Sequence, residues 1–275
     1  LAFGYNTDQP IDGIGFGWKA AAYDWKKDEE RPVGPTIAGL IDLRAVGEGA
    51  ADVERGMVIE EGAIPGSIAG FLPTIMAATA ATFGKDSDPG DMLSERAREM
   101  ESLVRGPYHG AVNHTQTFLV MSHDGVTADE PDQGRIELDS NGRVRVEWNN
   151  VGGKAGFRRV AANLEEAVKA TGGTYVPNPI WTEALGDRLV TVHPLGGCPM
   201  ADDAARGVVD DACRVYSGIS GTSVHPDLYV CDGAVLPRSV GVNPLLTISA
   251  VAERAMIKLS REIARPIDMT PSPPR

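Results

Sequence analysis

The sequence predicts a mixed α/β (α+β) fold: an antiparallel sheet with packed helices, followed by one strand and one long helix of a different, parallel layer. Three observations predict it. Gly134-Arg-Ile-Glu-Leu-Asp139 and Arg143-Val-Arg-Val-Glu-Trp148 alternate apolar and charged residues around Ser140-Asn-Gly142, a hairpin signal with one wet face. Leu228-Tyr-Val-Cys-Asp-Gly233 reads as an apolar strand that stops at Asp-Gly before a Pro- and Gly-punctuated loop. Beyond it, Ile248, Val251, Ala252, Ala255, Met256, Leu259 and Ile263 recur at three and four, which gives a helix one apolar face. The expected division is residues 1–188, 189–265 and a tail, 266–275.

The earlier elements follow in chain order. Leu1-Ala-Phe-Gly-Tyr5 opens as though inside a strand. Gly13-Ile-Gly-Phe-Gly17 lacks the Gly-x-Gly-x-x-Gly spacing and a leading apolar strand, so it reads as a glycine-rich turn. Thr36–Arg44 and Met57–Glu61 read as strands. Ser67–Phe83 is apolar on nearly all sides, a helix in the core or a wall facing an apolar ligand, with Pro73 kinking or delaying it. Asp91–Val104 is a charged amphipathic helix, Thr115–Ser122 a strand, and Lys154–Ala170 a helix ended by Gly172-Gly173.

Composition narrows the function. The 275 residues are 42% hydrophobic and can bury a substantial core. A net charge of −12 argues against nucleic acid, whose phosphates need a basic surface. Arg158-Arg159 is the only adjacent arginine pair and reads as a solvated helix face. No apolar run is long enough for a transmembrane helix, and nothing in the sequence sets a compartment. Cys198, Cys213 and Cys231 lack a Cys-x2-Cys pair; buried thiols, without a metal, are the expectation.

The chemistry concentrates between Thr191 and Ala264. In Thr191-Val-His-Pro-Leu-Gly-Gly-Cys-Pro-Met200 a histidine precedes a proline and two glycines, where backbone can approach another molecule closely. A neutral imidazole at His193 can accept a hydroxyl proton; alternatively it ties the loop down by hydrogen bonds. Asn243 before Pro244 reads as an N-cap with proline as first helical residue. The mouth of that helix carries partial positive charge and unpaired amides, which suit an anion or an electron-rich ring. His109, His114, His123 and His225 read as surface or loop-fixing residues.

These two stretches, His193-Pro-Leu-Gly-Gly-Cys198 and Gly241-Val-Asn-Pro244, resemble the C-terminal signature of the glucose-methanol-choline (GMC) oxidoreductases, most closely the cholesterol oxidase branch. The resemblance covers about the last quarter of the chain strongly and implies the final strand and helix of an FAD-binding Rossmann-like domain behind an antiparallel-sheet substrate domain. It implies oxidation of a secondary alcohol on a steroid-like or other bulky apolar substrate, with a hydride passing to flavin and His193 and Asn243 at the reacting hydroxyl. Asp232, Gly233, Asn243, Pro244 and Leu245 would contact FAD. Ile59-Glu-Glu-Gly-Ala-Ile-Pro65 resembles the segment whose glutamate lies over the substrate and moves a proton during isomerisation. Either Glu60 or Glu61 fits, and a carboxylate in an apolar cavity holds its proton more tightly. Both could equally be solvated at a strand end.

The family's Gly-x-Gly-x-x-Gly pyrophosphate clamp is not in the sequence. The resemblance therefore implies an N-terminal FAD-binding chain or fragment as partner, a targeting signal if any belonging to that part. Two other readings stay open: a flavin-free isomerase or lyase using Glu60 or Glu61 and His193, and a binding module without catalysis.

Overall fold

The computed structural model describes residues 1–15, 37, 39–44, 56–122, 134–149, 151–181 and 186–270. Gly17, His123 and the residues after Thr270 lie outside that set. The chain divides into two compact units, Leu1–Asp132 with Trp148–Val190, and Gln133–Glu147 with Thr191–Arg275. The hairpin expected within residues 1–188 thus groups with the C-terminal residues.

The first unit is built on a six-stranded sheet in the order Leu40–Asp42, Met57–Gly62, Gln116–Ser122, Ala2–Tyr5, Thr174–Pro177, Lys85–Asp86, every pairing antiparallel. Met57, Val58, Ile59 and Glu60 are all buried, so this strand is covered on both faces. On one face Met57, Ile59, Phe118 and Tyr175 pack with Leu164 and Val168 of the helix Ala155–Lys169. On the other, Phe3, Tyr5 and Val176 pack with Met76, Tyr108 and Val112. The alternation of side chains along each strand produces this division.

Punctuation behaves as the sequence indicates. Gly172 and Gly173 take φ of 62° and 103°, left-handed backbone that stops the helix and returns the chain to the sheet. Pro73 stands in the first turn of the helix Leu72–Phe83 and so starts it without a kink. That helix buries Pro73, Met76 and Thr79 but exposes Ile75 and Phe83, so only one side of it is core. His114 fixes its loop, its Nδ1 lying 2.7 Å from the Thr7 carbonyl.

In the second unit, Val224–Tyr229 pairs antiparallel with Arg214–Tyr216, which corrects the parallel layer expected there. The Asp210 carboxylate accepts from the amides of Ala212 and Arg214, each at 2.9 Å, and folds the chain back on itself. That turn sets Val209 antiparallel to Val215, and a second reversal over residues 217–223, where the Ser217 amide donates to the Ser223 carbonyl at 2.9 Å, makes the two strands run in opposite directions. The strand also ends at Tyr229, short of Asp232. The Arg135–Leu138 and Val144–Glu147 hairpin forms as expected, with Ile136 facing Val146 and Leu138 facing Val144. The helix Leu245–Glu262 contributes Ala255, with Ile248, Val251 and Met256 beside it, to a core with Val209, Cys213, Val235 and Leu236.

Candidate active site

The histidine turn is laced to the segment after Asp232. Amides of Gly196, Cys198 and Met200 donate to the carbonyls of Gly233, Ala234 and Val235 at 3.2, 2.9 and 3.2 Å. Gly196 and Gly197 have φ of 82° and 105°, which a side chain would strain. At Gly197 the space for a Cβ is filled by Ile136 Cδ1 of the hairpin. Burial, and behind it the Asp232 carboxylate, push the Cys198 thiol upward.

Gly233 is where the pieces meet. A Cβ there would lie 3.0 Å from the Pro194 carbonyl oxygen, 3.0 Å from Leu195 Cδ2 and 3.2 Å from Ile248 Cδ1. The residues following His193 and the first turn of the helix after Asn243 thus pack against one glycine. Asp232 closes its own turn, its carboxylate accepting from the Ala234 amide at 2.8 Å.

His193 is half-buried. Its backbone amide donates to Thr191 Oγ1 at 3.2 Å, while the imidazole Nδ1 is buried without a hydrogen-bond partner. The ring therefore does not tie the loop down through that nitrogen. Asn243 does not cap the helix as expected: Pro244 occupies the N-cap position and no side chain caps it. The helix begins one residue late: Pro244 has φ −83° and ψ −4°, and its carbonyl takes the first amide, that of Ile248, at 2.9 Å. The amides of Leu245, Leu246 and Thr247 lie ahead of that bond, without an intrahelical acceptor. Leu245 and Leu246 are 71% and 82% exposed.

In the first unit, Glu60 and Glu61 point to opposite faces of their strand. Glu60 is 4% exposed, opposite Leu40 and Leu119, and its Oε2 has no partner. Glu61 is half-buried, opposite Phe118, with its amide donating to the Gly39 carbonyl at 3.3 Å. Neither is merely solvated at a strand end.

Two groupings escaped sequence reasoning. Asp8, Asp88 and Asp91, and Asp86, Asp88 and Glu95, bring carboxylate oxygens within 4.8 Å of one another. Burial, then Asp91, Asp86 and Asp88, push Glu95 up to about 7. The spacing Asp86-x-Asp88-x-x-Asp91-x-x-x-Glu95 was the available signal. A cavity of about 490 Å³ lies beside it, lined by Thr7, Asp8, Asp88, Lys169 and Thr171 among others; none of the expected site residues lines it. The second grouping is Cys213 with Cys231, which fall in one apolar cluster and which sequence spacing does not reveal.

Comparison with known proteins bears on the stretch that holds His193 and Asn243. Residues 131–252 match the family model described as GMC oxidoreductase. The chain is 36% identical over 148 residues to a cholesterol oxidase of Mycobacterium tuberculosis, covering 51% of this chain and 22% of the relative. It is 47% identical over 75 residues to a cholesterol oxidase of Acinetobacter baumannii, 27% of this chain and 12% of the relative. It is 34% identical over 119 residues to the long-chain-alcohol oxidase FAO4B of Arabidopsis thaliana, 43% of this chain and 14% of the relative. The matches thus span about a fifth or less of these relatives.

Proposed function

We propose that the chain, whose residues 131–252 match the family model described as GMC oxidoreductase, supplies the substrate side of an FAD-dependent enzyme oxidising a secondary alcohol on a steroid-like or other bulky apolar molecule. The observation that carries this reading is the buried, unpartnered Nδ1 of His193 on a turn packed against the glycine that also meets the Asn243–Pro244 helix. A nitrogen kept from both water and protein is costly unless something else uses it.

The residues fit a flavin ring. The amides of Leu245, Leu246 and Thr247 and the positive end of an 18-residue helix would favour an electron-rich, developing negative charge. Asp232, Gly233, Asn243, Pro244 and Leu245 would border it. When bound there, FAD supplies the two-electron acceptor. His193 would orient the substrate hydroxyl and take its proton, and Asn243, released from capping duty, would hold the same oxygen. The chain has no Gly-x-Gly-x-x-Gly clamp, so an N-terminal FAD-binding chain or fragment would hold the pyrophosphate.

Absorbance near about 450 nm in the natively purified protein, and its bleaching by an anaerobic alcohol, test the reading. His193→Ala should slow bleaching roughly 10²–10⁴-fold while leaving the flavin bound; an unchanged rate removes His193 from the mechanism.

A second reading rests on Glu60, a buried carboxylate with an unpartnered oxygen. A flavin-free isomerase or lyase would use Glu60, or Glu61, as the proton carrier with His193. Turnover of an unsaturated ketone by flavin-free protein would favour it; strict dependence on flavin would exclude it.

A further inference from the structure

We infer that Cys213 and Cys231 are a reversible dithiol, a modification site that low-molecular-weight disulfides such as oxidised glutathione close into an intrachain disulfide. The inference is independent of the alcohol chemistry proposed above.

The backbone places the two cysteines on neighbouring antiparallel segments. Arg214 faces Tyr229 across the ladder, and the Val230 amide donates to the Cys213 carbonyl at 3.0 Å. Cys231 is the next residue, and both cysteines belong to one apolar cluster. Adjacent antiparallel chains lie within the span that a disulfide bridges.

Cys213 also has φ of 63°, in the left-handed region where glycine is the cheaper residue. A side chain kept at a strained position points to use of that side chain. Nothing comparable marks Cys198.

Exposure assigns the order of events. Cys231 is half-buried and Cys213 fully buried. The Cys231 thiolate attacks one sulfur of the disulfide RSSR; a Cys231–S–S–R bond forms, the original S–S bond breaks, and the departing RS⁻ takes up a proton. The Cys213 sulfur, its proton passed to water, then bonds the Cys231 sulfur, and the second RS⁻ leaves and is protonated. Two cysteine thiols lose two electrons and two protons, and RSSR gains both as two RSH. Burial first, then the Cys231 thiol, push the Cys213 thiol up to about 11, so it is not the first attacker; in the second step the mixed disulfide held beside it offsets its small thiolate fraction by proximity. The closed bond would clip the turn at Asp210–Arg214 to the residue immediately before Asp232.

The experiment treats the full chain with reduced or oxidised glutathione, alkylates the remaining thiols and maps peptides without reduction. The expected result is one linked peptide joining Cys213 to Cys231, with Cys198 alkylated, reversed by dithiothreitol. Cys198→Ala should keep the link. Cys213→Gly, which suits the left-handed backbone, should abolish it without loss of folding. Oxidation should also slow amide exchange at Val230 and Ala234 by at least roughly fivefold in the wild type and not in Cys213→Gly. Three alkylated cysteines after oxidised glutathione, a lasting glutathione adduct on Cys231 beside alkylated Cys213, or a link through Cys198 would each overturn the inference.

Discussion

Ile248 lies directly over Gly233: a Cβ on the glycine would stand 3.2 Å from Ile248 Cδ1. The same Cβ would stand 3.0 Å from the Pro194 carbonyl oxygen, which is backbone and cannot rotate away. Gly233→Ala should therefore destabilise the protein by about 1–3 kcal/mol through overpacking. Urea denaturation measures this, and the partial remedy is Ile248→Val in the same chain, which removes one of the crowded atoms. A loss of stability indistinguishable from zero would mean that the turn and the helix are not packed together at Gly233.

Glu60 and Glu61 should separate in a stability experiment. Glu60 carries an unpartnered oxygen at 4% exposure, so Glu60→Leu removes a desolvated polar group from the sheet. The expected gain is roughly 1–3 kcal/mol. Glu61→Leu should bring no gain, because that side chain is half-buried and has interactions of its own. Should Glu60→Leu prove destabilising in thermal melts, its carboxylate is structural and cannot be a residue held at the expense of stability for proton transfer.

Acid should stabilise the corner around Glu95. Burial first, then Asp91, Asp86 and Asp88, raise this carboxyl from 4.5 to about 7, so the folded state holds the proton more tightly than the unfolded chain. Its contribution is fully present below about pH 4.5 and is lost as pH rises through about 7. Glu95→Gln should thus stabilise the protein at about pH 8 by roughly 1–2 kcal/mol, discounted for solvent screening, and bring no gain at about pH 4. Denaturant midpoints at the two pH values give the answer; an equal effect at both would rule out the titration.

Much of the fold was legible because it follows from local periodicity. The Ser140-Asn-Gly142 turn, the glycine stop at Gly172-Gly173 and the apolar stripe from Ile248 each encode structure within a few residues. Asn243 was misread for a local reason as well. Asn-Pro fits an N-cap and first helical residue, but Pro244 took the cap position itself, a choice between two nearly equal helix starts that sequence does not separate.

By itself, then, the sequence determined the fold class, several elements and the residue types for chemistry: a mixed fold with an antiparallel sheet, an imidazole on a Gly-Gly turn, and a long helix with an apolar stripe from Ile248. Only the tertiary structure decided that Glu60, and not Glu61, is the buried carboxylate, since that depends on which face of Met57–Gly62 each residue takes. It also decided that Val224–Tyr229 runs antiparallel to its neighbour, that Cys213 meets Cys231, and that Pro194, Gly233 and Ile248 share one contact. Those pairings join residues distant along the chain, and their energy resides in packing and desolvation that no local pattern records.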